Sequence, residues 1–170
     1  PSPGAGRRQR RYTDGQYDSA YRTSSGGLAQ FPSPTWLVSS ISECRTQSSC
    51  AGTSDETLTE FTYVPAGQPG QLQPATQTVR SGNSSGPGAV SATTSWTYTS
   101  AGDRASEDGP LAGTADTRTW RYDILRRVIG EIGPDPDGAG PLPHRATRNS
   151  YDSIGRLIKV EQGTVTAQDD

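Results

Sequence analysis

The chain of 170 residues has no methionine, one lysine, one histidine, two cysteines and two phenylalanines. Each scarcity closes something off. A tetrahedral zinc site takes about four Cys or His ligands, and Cys44, Cys50 and His144 are too few and too scattered to make one. A serine-protease-like triad would need His144 oriented by a carboxylate. Nothing in Pro141-Leu142-Pro143-His144-Arg145 argues for that, so His144 reads as an exposed loop residue. No apolar run approaches the roughly 20 residues of a membrane-crossing helix, and no signal-peptide pattern is present. The missing methionine, the start at Pro1 and an ending without a closing turn suggest a piece of a longer protein. Lys159 stands against fifteen arginines, which reads as a GC-rich coding bias and not as chemistry.

Core-forming residues are also scarce. Leu, Ile, Val and Phe number 23, against 20 glycines and 13 prolines, and mean hydropathy is -0.74. That aliphatic share is low for an ordinary globular domain. Disorder would normally add a large net charge, and here the net charge is only -2. The composition therefore points to a loop-rich β protein whose apolar contacts lean on Tyr, Trp and β-branched side chains.

Residues 1–30 read as a flexible polar lead-in, with a basic run at Arg7-Arg8-Gln9-Arg10-Arg11. Without stacking aromatics around it, that run reads as a solvated tail, and no nucleic-acid partner is expected. Strand-like stretches follow at 35–41 and 58–64, and in the second Thr59, Phe61 and Tyr63 share one face. No window shows a helical apolar stripe, so the fold class is all-β. Cys44 and Cys50 lie between the two stretches. A disulfide there would staple their connection in an oxidising compartment, while free buried thiols would suit a reducing one, and the residues leave both open.

The later half repeats. Tyr122-Asp123-Ile124-Leu125-Arg126-Arg127-Val128-Ile129 aligns with Tyr151-Asp152-Ser153-Ile154-Gly155-Arg156-Leu157-Ile158. Weaker copies start at Tyr98, with Gly102 four residues on, and at Tyr63, with Gly67 at the same distance. The physical reading is a β-hairpin. Asp after the tyrosine hydrogen-bonds the backbone two residues on and starts a turn. Gly155 supplies a positive φ at little cost. Arg126 at that position in the other copy predicts a different turn there, because a bulky residue disfavours positive φ. One hairpin cannot stand alone, but hairpins stacked edge to edge make a continuous sheet.

These residues resemble the YD repeat of bacterial Rhs proteins, of shape Y-D-x-x-G-R-L. Cys50-Ala51-Gly52-Thr53-Ser54-Asp55-Glu56 and the stretch from Gly133 to Leu142 are similar to Rhs-type sequence as well. The resemblance covers roughly residues 31–170, with clear repeats at 117–132 and 146–161. It implies tandem hairpins forming a strip of a spiralling, curved antiparallel sheet, as in insecticidal toxin complexes and teneurins. It also implies a wall segment of a shell that encloses a C-terminal toxin for competition between bacteria, secreted or associated with the cell envelope. The implied partners are the remaining repeats and the toxin domain of the same parent chain. The motif residues are Tyr122, Asp123, Arg127, Tyr151, Asp152, Gly155 and Arg156.

No enzymatic activity and no cofactor are expected. Asp135-Pro136-Asp137-Gly138 has the local pattern of the Rhs autoproteolytic region, but repeat sequence follows it, so the stretch reads as a loop. The same aspartates begin like a calcium loop, whose twelfth position should be Glu and is Ala146. Trp36, Trp96 and Trp120, with seven tyrosines, invite a surface module that binds carbohydrate or a partner. Trp96 and Trp120 each precede a repeat tyrosine by two residues, the spacing of an inward-facing ladder.

Overall fold

The computed structural model describes residues 9–46, 49–83, 88–138 and 140–168, and every regular element among them is a strand. These are β1 (Arg10–Tyr17), β2 (Ala20–Arg22), β3 (Leu28–Gln30), β4 (Thr35–Cys44), β5 (Glu56–Tyr63) and β6 (Pro74–Ser81). Then come β7 (Ser91–Tyr98), β8 (Arg104–Asp108), β9 (Arg118–Tyr122), β10 (Val128–Ile132), β11 (His144–Tyr151) and β12 (Leu157–Val165). Ten of them hydrogen-bond in the order β1-β4-β5-β6-β7-β8-β9-β10-β11-β12, while β2 and β3 form a separate ribbon. The protein is all-β, and most of it is one antiparallel sheet. The chain divides into two compact units, 1–94 and 95–170, and the division falls inside β7.

In the first unit, part of the supposed lead-in is structured: β1, β2 and β3 all lie within residues 10–30. β1 has no apolar alternation to betray it and is mostly exposed. It is held by its ladder to β4, from Arg10↔Glu43 to Tyr17↔Thr35, and by an ion pair of 2.7 Å between Arg10 and Glu43. Arg10 and Arg11 of the basic run belong to this strand, while Arg7 and Arg8 lie outside the described residues. The β2–β3 ribbon is tied down by Gln71, whose side chain accepts from Ala20 N–H at 2.9 Å and donates to its carbonyl at 2.6 Å.

Cys44, at the end of β4, and Cys50 are joined by a disulfide, and both are buried. The bridge closes a small loop before β5. Beside it Glu56 is buried, accepting from Gly52 N–H at 2.7 Å and from the Ser42 hydroxyl.

In the second unit, the end of β7 from Ser95 and strands β8 to β12 form three successive hairpins. Little of either unit is a core. Among the described residues only Ala20, Cys44, Cys50 and Ile132 are buried hydrophobics, and no large side chain is fully enclosed. Ladders and cross-strand pairs must hold such a sheet.

Candidate functional site: tyrosine-ended hairpins

The three hairpins of the second unit share one local plan. Tyr98 pairs with Arg104, Tyr122 with Val128 and Tyr151 with Leu157, each tyrosine facing the residue six further on. The ladder then skips one residue of the returning strand, so that Thr97 faces Ser106, Arg121 faces Gly130 and Ser150 faces Lys159. This is a β-bulge at the same place in each hairpin, and it adds local twist.

The turns coincide atom by atom. Asp123 N–H donates to the Arg127 carbonyl at 3.0 Å, and Arg126 N–H donates to the Asp123 carbonyl at 2.9 Å. Asp152 and Thr99 make the same two bonds with their turns, and so does Thr23 in the β2–β3 ribbon. The fourth residue has positive φ in all of them: Gly26 at 84°, Gly102 at 83°, Gly155 at 89° and Arg126 at 64°. The expected different turn at Arg126 is therefore corrected. A left-handed conformation costs a non-glycine residue about 1–2 kcal/mol, and what offsets it lies far away in sequence. The Arg126 guanidinium forks onto Asp103 of the preceding turn, at 2.6 and 2.9 Å.

The aspartates cap their turns as that chemistry requires. Asp123 Oδ1 accepts from Leu125 and Arg127 N–H, both at 2.9 Å, while Oδ2 meets Arg127 Nε at 2.6 Å. Asp152 does the same with Ile154 and Arg156, and its Oδ2 meets Arg156 Nε at 2.7 Å. The Arg127 backbone N–H, then its guanidinium, hold the Asp123 carboxyl below the usual carboxylate range. For Asp152 the Arg156 guanidinium contributes most, followed by the backbone N–H.

The hairpin at Tyr63 is a longer version. Tyr63 pairs with Pro74, and the ladder then skips Ala75. Its closing bonds run from Val64 N–H to Gln73 and from Leu72 N–H to Val64, with Leu72 at φ 65°. Leu72, and not Gly67, thus occupies the glycine position of the shorter turns. Gly67 has a positive φ of its own inside the inserted loop.

What joins one hairpin to the next is the tyrosine hydroxyl. Tyr122 donates to the carbonyl of Arg104, the first residue of β8, at 2.8 Å. Tyr151 donates to the carbonyl of Val128, the first residue of β10, at 3.0 Å, and the Arg127 guanidinium lies 4.5 Å from the centre of its ring. In the first unit Tyr63 donates to the carbonyl of Val38 in β4 at 2.7 Å. Burial pushes the Tyr63 and Tyr122 hydroxyls above their ordinary range, which keeps them protonated donors. Among known proteins, no family model and no curated protein matches this chain. The geometry has to carry the argument unaided.

Other candidates fall elsewhere. His144 is buried, not exposed, which corrects the loop reading. It opens β11, and its Nδ1 meets the Gly133 carbonyl at 3.1 Å. Gln168 folds back over it, donating to the carbonyls of Thr117 and Gly133, each at 2.9 Å, and accepting from Arg121 at 2.7 Å. Asp135 and Asp137 spend their carboxylates on N–H groups of their own loop, those of Asp137 and Leu142, both at 3.1 Å. Cys44, Cys50 and Asp55 cluster like metal ligands, but the two sulfurs are bonded to each other.

The tryptophans differ among themselves. Trp96 is half-buried, donates to Glu107 at 2.8 Å and has the Arg104 guanidinium 5.4 Å from its ring. Trp120 is half-buried opposite Glu131, and Trp36 is 62% exposed. Sequence reasoning missed one further member of the series. β1 ends in Tyr17-Asp18, the same pair that ends β9 and β11. That dipeptide was its only signal.

Proposed function

We infer that the chain is a wall segment of a bacterial Rhs/YD-repeat shell, whose role is to enclose a toxin domain carried by the same parent protein. The parent would be secreted or associated with the cell envelope and would act in competition between bacteria. The supporting observation is the recurrent tyrosine bond: Tyr63, Tyr122 and Tyr151 each hand a hydroxyl to the strand before their own, a joint that can be repeated from hairpin to hairpin. A wall needs such a joint, and it needs no catalytic group. The test is the coding sequence on either side. Further tyrosine-aspartate hairpins, then a variable terminal domain beside a small immunity gene, are expected. A reading frame without further repeats would overturn the shell.

A second reading, recognition of glycans or of a partner surface, is favoured by one observation. Trp36 stands 62% exposed on β4, where a ring can stack on a sugar. Glycan-array binding that Trp36→Ala abolishes would support it, and an array without binding would sink it.

A further inference from the structure

The joint between hairpins has a fixed register. Where a tyrosine donates to a carbonyl of the preceding strand, the residue two after that carbonyl faces the residue three before the tyrosine. Ser40 faces Glu60 for Val38 and Tyr63, Ser106 faces Thr119 for Arg104 and Tyr122, and Gly130 faces Arg148 for Val128 and Tyr151. The two strands that end the sheet, β1 and β12, carry the two halves of one more joint.

β12 offers the accepting half. Leu157 is its first residue, corresponding to Arg104 and Val128, and Arg156 corresponds to the Arg127 that lies on Tyr151. The Arg156 side chain is 74% exposed, and among the described residues no ring lies against it. Leu157, Ile158 and Val160 are exposed along the same strand. β1 offers the donating half: it ends in Tyr17, whose ring packs edge-on against Tyr63 at 4.7 Å while its hydroxyl makes no hydrogen bond among the described residues.

We propose that two molecules of this chain associate head to tail, β1 of one adding antiparallel to β12 of the other. The fixed register then places Lys159 opposite Asp14 of the second copy, an opposite-charge pair at the centre of the contact. It brings the Tyr17 hydroxyl to the Leu157 carbonyl and the Tyr17 ring beneath Arg156. The contact is heterologous, because the two surfaces differ, so each copy keeps one free half and association can continue. Repeats flanking residues 1–170 in a parent chain would take the same two edges, so failure of the contact between copies would leave the wall reading in place.

Sedimentation of the full chain over a concentration series reads the association directly. Opposite charges facing across strands contribute modestly and like charges oppose pairing. Lys159→Glu is therefore expected to weaken association by roughly two- to fivefold. Adding Asp14→Lys on the same chain should restore it. Both side chains are exposed, so the melting of the monomer reports whether either variant still folds. Register is checked by oxidising a mixture of Asp14→Cys and Lys159→Cys chains, which should yield a mixed covalent dimer. Thr13→Cys in place of Asp14→Cys points to the other face and should not. A chain that stays monomeric throughout, a charge swap that fails to restore association, or equal cross-linking by both pairs would overturn the proposal.

Discussion

At the scale of the residue, one side chain does several jobs in each turn. The carboxylate of Asp152 caps two backbone N–H groups and holds the Arg156 guanidinium, and Asp123 repeats this with Arg127. Both carboxyls sit below their ordinary range in the folded chain. A depressed folded value means stability that is present above the unfolded pKa, about 3.9 for Asp, and lost as pH falls through the folded value. The melting temperature is thus expected to fall below about pH 4. The Asp123→Asn, Asp152→Asn double variant keeps acceptors for the turn but has no charge to lose, so its acid slope should be shallower. Parallel slopes in thermal melts would contradict this. Arg126 allows a second test. Its strained φ of 64° is offset by an ion pair with Asp103, and salt screens an exposed pair while leaving backbone strain untouched. Arg126→Gly removes both effects. Urea unfolding should show the variant gaining on the natural chain as salt rises, and an unchanged difference would mean the pair offsets nothing.

At the scale of the element, the hydroxyl joint predicts a uniform cost. Tyr63→Phe, Tyr122→Phe and Tyr151→Phe each remove one bond to a backbone carbonyl and leave the ring in place. Each should lower the unfolding free energy by about 1 kcal/mol, the net worth of a typical hydrogen bond. A cost near zero at all three positions would show that the rings alone join the hairpins. The sequence discloses these elements unevenly, for physical reasons. Strands β4 and β5 are legible from Trp36-Leu37-Val38 and from the alternation around Phe61, and the Tyr122 and Tyr151 hairpins from their shared turn residues. β1 is not legible, because its partner β4 supplies the ladder and, of its own side chains, Arg-Arg-Tyr-Thr-Asp-Gly-Gln-Tyr, only the last is part-buried, against Tyr63. The Arg126 turn is not legible because its compensation comes from Asp103, 23 residues earlier. The burial of His144 is not legible because its cover comes from Gln168, 24 residues later. Contacts at such range leave no periodicity to read.

At the scale of the whole molecule, the fold rests on ladders with little apolar burial. The heat capacity of unfolding follows mainly the apolar surface newly exposed, and globular proteins average about 12–15 cal/mol/K per residue. A chain in which Ile132 is the largest buried hydrophobic among the described residues should fall clearly below that range. Calorimetry over a series of pH values gives the quantity as the slope of unfolding enthalpy against melting temperature. It should be run at low concentration, because copies that pair strand to strand raise the melting temperature by mass action and add buried surface of their own. A dilute sample inside the globular range would mean that the sheet faces are covered after all, and that the exposed Leu157, Ile158 and Val160 of β12 have found a partner even there. A value below it, rising with concentration, ties the two observations together: a sheet with little interior of its own gains one by adding strands.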